Sequence, residues 1–121
     1  MKHSTMRPET VRLATVLLEW HARIRADKKN ADTVTPNDLI PYKKLCERAG
    51  VPEITRIVGT FLGELASWCS DNRLPPLNSL AVNGEELKPG PGYDNAEGCS
   101  EINWWNEVRD CVSADYPPTI P

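Results

Sequence analysis

The stretch LIPYKKLCERAGVPEITRIVG, residues 39–59, predicts two helices joined by a sharp turn. Ile40 precedes a proline, which disfavours helical backbone angles and gives the segment an extended entry. The following YKKLCERAG fits a two-turn helix that ends at Gly50, a residue suited to a helix C-terminus. Pro52 restarts the chain, and apolar residues then recur at spacings of three and four. The sequence therefore predicts a helix-turn-helix over residues 37–70.

The flanking segments add a helix on each side and a turn-rich region between them. Residues 9–29 carry apolar side chains at helical spacing and predict an N-terminal amphipathic helix. In residues 77–92 the dipeptide Asn83-Gly84 lies between apolar residues, a pattern typical of a β-hairpin, and predicts a wing followed by a loop. Residues 101–113 predict a C-terminal helix and residues 114–121 an extended tail. The expected fold is mainly α with a small β-hairpin, a single winged helix-turn-helix-like domain spanning residues 1–121.

Composition and cysteine spacing exclude several classes of protein. The 121 residues suffice for one domain, and 40% hydrophobic with 26% charged residues is ordinary for a globular chain. The longest apolar run is broken by charged residues, so we expect no signal peptide, no membrane span and a cytoplasmic protein. The four cysteines lack C-x-x-C spacing, which favours reduced thiols over a metal site or a disulfide framework. The sequence predicts no metal and no cofactor.

Charge is unevenly distributed along the chain. Residues 1–74 contain twelve Lys and Arg against nine Asp and Glu, whereas residues 75–121 contain two against eight. The first part could face an anionic partner, but on composition alone an ordinary solvated surface is the preferred interpretation. If the partner is double-stranded DNA, the candidate contacts are Tyr42, Lys43, Lys44, Arg48 and Arg56.

Residues 40–59 resemble the DNA-binding domain of the O6-alkylguanine-DNA alkyltransferases and of their non-repairing relatives, the alkyltransferase-like proteins. The family pattern, roughly I-P-Y-x-x-L-A-x-x-A-G-x-P-x-x-x-R-x-V-G, aligns without gaps with IPYKKLCERAGVPEITRIVG. The later PPLNSLAV and PGPGY are weakly similar to the family's proline-cysteine-histidine-arginine motif and its trailing glycine-tyrosine loop. The resemblance implies that Tyr42 lies beside a phosphate next to the target nucleotide and that Arg56 fills the space left by an extruded base. It also implies a base pocket at Leu77, Asn78 and Tyr93.

The chain departs from this family at the position of the acceptor cysteine. Leu77 stands where the family has cysteine, and Asn78 stands where it has histidine. Because leucine has no nucleophile and asparagine is not a general base, the sequence excludes thiolate alkyl transfer at this position. Alkyltransferase-like proteins also lack the cysteine and act by binding lesions. We therefore predict a non-enzymatic DNA-binding protein that recognises a modified or extruded base.

A second hypothesis comes from the acidic C-terminal part. A winged-helix module can bind a protein instead of DNA, here as a regulator or inhibitor of a nucleic-acid enzyme. Aromatic residues with a rim of carboxylates suit such an interface. The candidate contacts for this partner are Trp104, Trp105, Glu101 and Glu107. Catalysis is the third hypothesis, and the sequence offers no serine-histidine-acid set to support it.

Overall fold

The computed structural model describes residues 6–27, 29–90 and 92–120, and this part of the chain is mainly helical with a small two-stranded sheet. No helix within these ranges is both long and apolar enough to cross a membrane. Short 3-10 turns lie at Pro36–Asp38, Leu77–Leu80 and Tyr93–Asn95. The helices are α1 (Pro8–Ala26), α2 (Tyr42–Ala49), α3 (Thr55–Asp71) and α4 (Trp104–Ser113), and the strands are β1 (Ile40–Pro41) and β2 (Ala81–Val82).

The helix pair α2–α3 forms as the local sequence predicts. Helix α2 ends at Gly50, which has φ 69° in the left-handed region that glycine enters without a steric penalty. The Val51 amide donates to the Cys46 carbonyl at 3.0 Å, which satisfies one of the free carbonyls at the helix end. Helix α3 begins at Thr55, three residues after Pro52. The predicted break between two helices is confirmed.

The predicted β-hairpin at Asn83-Gly84 is wrong. Strand β2 pairs in parallel with β1, with Ile40 opposite Ala81, and no antiparallel partner follows β2 within the described ranges. The Asn83 side-chain oxygen instead accepts the Glu85 amide at 2.9 Å and the Glu86 amide at 3.2 Å. Asparagine commonly closes turns in this way, so the same dipeptide makes a compact loop in place of a hairpin.

Two predicted helix boundaries also differ from the structure. Helix α1 ends at Ala26 and not at residue 29, and α4 begins at Trp104 and not at residue 101. Residues before α4 form turns, in which the Asn103 amide donates to the Ser100 carbonyl at 3.0 Å. Ends of helices fray into such turns, and spacing patterns fix them only to within a few residues.

The core lies where α1 meets α2, α3, α4 and the 77–80 turn. Fully buried leucines line this junction, because each helix turns one apolar stripe inward. They are Leu13 and Leu17 of α1, Leu45 of α2, Leu65 of α3, and Leu77 and Leu80 of the turn. The predicted extended tail folds back onto this core, since the Tyr116 hydroxyl donates to the Pro75 carbonyl and Ile120 is buried.

Buried His21 of α1 makes stability depend on pH. Its Nε2 lies 2.9 Å from the Cys111 carbonyl, and its ring meets Tyr116 edge-on at 4.9 Å. Burial lowers the pKa of His21 below its usual 6.5. The unfolded chain therefore binds a proton below about pH 6.5 that the folded chain excludes, and stability falls as the pH drops through that range.

We expect the His21→Gln variant to lose part of this pH dependence. Urea unfolding near pH 7.5 and near pH 5.5 measures it, and the wild type should lose more stability than the variant, by at most about 1.4 kcal/mol per pH unit. Carboxylates titrate in both proteins, so the difference between the two chains isolates His21. Equal losses in both would contradict the buried, neutral imidazole.

Candidate functional site

A cavity of about 150 Å³ lies between the N-terminal half of α3 and the loop that follows β2. On α3 the wall includes Gly59 and Gly63, one turn apart on the same helix face. A β-carbon built at either glycine meets no neighbouring heavy atom within 4 Å. The missing side chains therefore leave open space in front of α3. The other lining residues are Tyr42, Glu53, Val58, Leu62, Asn78, Asn83, Gly90, Gly92, Tyr93 and Ala96.

The size of the cavity limits what it can hold. Pockets for drug-sized ligands usually measure about 300–1,000 Å³, so this one is too small for a large cofactor. A cavity of about 150 Å³ is known to accept a single benzene ring in another protein. The space therefore suits one aromatic ring or the inner edge of a nucleobase.

Asn78 is a buried polar residue in the cavity wall. The residue is 3% exposed, and its Nδ2 makes only a long contact of 3.6 Å to Cys99 Sγ. Its Oδ1 is buried without a hydrogen-bond partner among the described residues. A buried acceptor left unsatisfied costs about 1–3 kcal/mol.

Two tyrosines complete the polar lining. The Tyr42 hydroxyl oxygen accepts the Gly90 amide at 2.9 Å, which leaves the hydroxyl proton for another acceptor. The ring approaches the backbone so closely that a β-carbon at Gly90 would lie 3.2 Å from it. Burial raises the pKa of Tyr42, and burial with the hydrogen bond to Glu107 raises the pKa of Tyr93. Both phenols are therefore neutral near pH 7 and serve as hydrogen-bonding groups.

Arg56 lies at the start of α3, on the same helix face as the two glycines. It precedes Gly59 by three residues, the spacing at which side chains share a face. The side chain is exposed, and its guanidinium has no ion pair or hydrogen bond to any described residue. Glu64, a possible partner on α3, accepts the Arg7 amide at 2.9 Å. Arg56 is therefore an exposed cation without an ion pair to described residues, one turn before the cavity-lining Gly59 and not itself part of the cavity wall.

The five predicted DNA contacts do not lie on one face of the protein. Tyr42 lines the cavity, whereas Lys44 follows it by two residues and points roughly 200° away around α2. Lys44 Nζ and the Arg48 guanidinium carbon instead lie 5.0 Å and 5.4 Å from the ring centre of Trp20 on α1. Lys43 is exposed on α2 between these two faces. The structure thus separates Lys44 and Arg48 from the cavity.

Of the three predicted pocket residues, two line the cavity and one does not. Asn78 and Tyr93 are in its wall. Leu77 is 0% exposed and lies in the core, so its assignment to the pocket is wrong. Consecutive residues of the 77–80 turn point in different directions, and Asn78 takes the direction that faces the cavity.

Some of the residues predicted to contact a protein partner make hydrogen bonds within the domain instead. The Trp104 indole N–H donates to the Ser79 carbonyl at 3.0 Å, and Trp105 packs edge-on against it at 5.4 Å. The Glu107 carboxylate accepts the Tyr93 hydroxyl at 2.6 Å and the Ser100 amide at 3.2 Å. Glu101 is exposed, beside the fully exposed Ile102. Glu107 therefore holds a wall of the cavity and has little freedom to meet a partner.

The four cysteines are protonated thiols near neutral pH. Burial raises the pKa of Cys46 and of Cys69 to about 11 and that of Cys111 to about 12, and it also raises the pKa of Cys99. A thiolate is the nucleophilic form, so these groups are poor nucleophiles. Within the described ranges no three His, Cys, Asp or Glu side chains are grouped so that they could hold a metal ion.

The sequence contains a signal for the cavity that its hydrophobic pattern does not reveal. Gly59 and Gly63 lie four residues apart inside a helix, where glycine is about 1 kcal/mol less favourable than alanine. Such a pair indicates open space or close approach beside that helix face.

No known family model matches this chain, and neither a curated protein nor a solved structure matches it.

Proposed function

We propose that this chain is a non-enzymatic DNA-binding protein that holds a modified or extruded base in the cavity beside α3. The observation that carries the proposal is a ring-sized cavity whose wall includes the polar side chains of Tyr42, Asn78 and Tyr93. Every nucleobase carries hydrogen-bond donors and acceptors on its edges, and these suit the polar side chains of this wall. The flat faces of a nucleobase are apolar and suit the apolar side chains of Val58 and Leu62 in the cavity wall.

Arg56 supplies the second requirement of base extrusion. Removing a base from the duplex costs a few kcal/mol of stacking and pairing, so a side chain that fills the gap favours the extruded state. Arg56 is exposed, without an ion pair to described residues, and on the same face of α3 as the cavity glycines. The resemblance of residues 40–59 to the alkyltransferase DNA-binding domain assigns this role to the same arginine.

The proposal includes a winged helix-turn-helix mode of binding, with α2–α3 as the helix pair. The loop after β2 takes the place of a wing, since it forms the opposite wall of the cavity. Recognition without chemistry is favoured because the cysteine thiols are held protonated. We place this activity in the cytoplasm, as the sequence predicts. A protein-binding role for α4 has less support, because Trp104 and Glu107 already serve internal hydrogen bonds.

We expect Arg56→Ala to weaken binding to a duplex with a mismatched or O6-alkylated guanine by about tenfold, the effect of one lost charge-assisted contact. Binding to the fully paired duplex should change much less, because that duplex keeps its base stacked. Fluorescence anisotropy with both duplexes at two salt concentrations provides the measurement.

Arg48→Ala is the matched control, since it removes the same charge from the face of α2 that lies against Trp20 of α1. If the two variants weaken binding equally, the arginine acts only through net charge. If the wild type binds neither duplex, the proposed function fails.

A further inference from the structure

Two helices place three cationic side chains around one tryptophan. The guanidinium carbons of Arg23 and Arg48 lie 5.0 Å and 5.4 Å from the ring centre of Trp20, and Lys44 Nζ lies 5.0 Å from it. The indole is half-buried, and its N–H donates to the Asp38 carbonyl at 2.8 Å, which fixes the ring. We call Trp20, Arg23, Lys44 and Arg48 the Trp20 cluster.

The charge of the Trp20 cluster is not neutralised within the described part of the chain. Other cations nearby are paired, with Arg25 2.9 Å from Asp115 and Lys29 3.7 Å from Asp38. The three cations of the cluster have no ion pair to a described residue. Each of these cations lies within 5.4 Å of the same ring centre, so an anion that reaches their outward side meets positive charge without an internal counterion among the described residues.

The surroundings of the cluster limit the kind of anion. Asp27 and Asp38 lie in a shallow depression together with Trp20 and Arg23, so carboxylates border the cations on the α1 side. A DNA duplex carries one charge per about 1.7 Å along its axis, so its closely spaced phosphates would also face these carboxylates. A basic patch that is bordered by acids and centred on an aromatic ring fits a peptide better than a duplex, because a peptide can present separated carboxylates next to an apolar side chain.

We propose that the Trp20 cluster is a docking surface for an acidic segment of a partner protein. Lys44 and Arg48 would receive the carboxylates, and the exposed part of the Trp20 indole would receive an apolar side chain. An arginine fork binds a carboxylate through two hydrogen bonds, and Trp and Arg are both enriched in interface hot spots. This surface is separate from the cavity, and the inference holds whether or not the cavity binds a base.

The test uses a short synthetic peptide that alternates glutamate and leucine, with glutamine in place of glutamate in the control peptide. Titration into the full chain should shift the indole N–H signal of Trp20 in a nitrogen–proton NMR spectrum. The Trp20→Phe variant identifies that signal. The glutamine peptide should leave it unchanged.

Charge reversal identifies the cations that bind the peptide. Arg48→Glu should weaken peptide binding by about tenfold or more, the loss expected for one charge-assisted hydrogen bond. Lys43→Glu is the matched control, because it makes the same charge change at an exposed neighbour outside the cluster. Gly63→Leu, which fills the cavity, should leave peptide binding unchanged.

Three results would overturn the proposal. The Trp20 signal could fail to move with the acidic peptide, or Lys43→Glu could weaken binding as much as Arg48→Glu, which would indicate net charge alone. A duplex oligonucleotide that shifts the Trp20 signal when the peptide does not would assign the cluster to nucleic acid.

Discussion

Replacing Gly63 by leucine is expected to reduce affinity for a duplex with an extrudable base by about a hundredfold, because the stacking and hydrogen bonds of the inserted base are worth a few kcal/mol. A β-carbon at this position has no heavy atom within 4 Å, so the leucine side chain would extend into the open space in front of α3. Stability should rise by about 1 kcal/mol at the same time, since leucine replaces glycine inside a helix. Affinity and stability therefore move in opposite directions.

Anisotropy titration and urea unfolding of the same variant measure the two effects. Gly63→Ala adds one methyl group and should give a smaller loss of affinity with a similar gain in stability. Thr60→Leu is the matched control, because Thr60 is exposed on α3 outside the cavity wall. Undiminished binding by Gly63→Leu would show that the cavity does not receive the base.

Leu77→Ala is expected to lower the free energy of unfolding by about 3–4 kcal/mol, as large-to-small changes in a well-packed core do. Leu77 is 0% exposed and lies in the turn where α1, α3 and α4 meet. Stabilities of small domains are about 5–15 kcal/mol, so this loss is a substantial fraction of the total. Urea unfolding measures this loss of stability, and the dependence of the unfolding free energy on urea concentration should stay unchanged.

The half-buried Leu74 provides the comparison for this variant. Leu74→Ala should cost clearly less than Leu77→Ala, because less apolar surface leaves the core. A loss below about 1 kcal/mol at Leu77 would mean that its side chain faces open space, as its position in the alkyltransferase pattern predicts.

The helix pair could be predicted from the sequence because its signals are local. A proline after Ile40 and a glycine at the end of α2 act on neighbouring residues, and both appear in the structure as expected. The pairing of β1 with β2 joins residues far apart in the chain, so no local pattern indicates it. The Asn83-Gly84 dipeptide fits both a β-hairpin turn and a compact loop. The structure has the compact loop, with β2 paired to β1 in parallel.

The candidate site was predictable in part for the same reason. Tyr42, Asn78 and Tyr93 come together in the cavity wall, and their meeting depends on the loop that closes over α3. The separation of Lys44 from Tyr42 follows from their spacing on α2, whereas the contact of Lys44 with Trp20 depends on how α1 packs against α2. The unsatisfied Asn78 oxygen is likewise a property of the folded environment and has no signature in the sequence.

The most direct test of base insertion is the fluorescence of an adenine analogue that is quenched by stacking and is placed opposite a mismatched base in a duplex. The wild-type protein should raise the fluorescence as the base leaves the stack, and Gly63→Leu at saturating concentration should not. No increase with the wild type, or the same increase with Gly63→Leu, would contradict a base bound in the cavity.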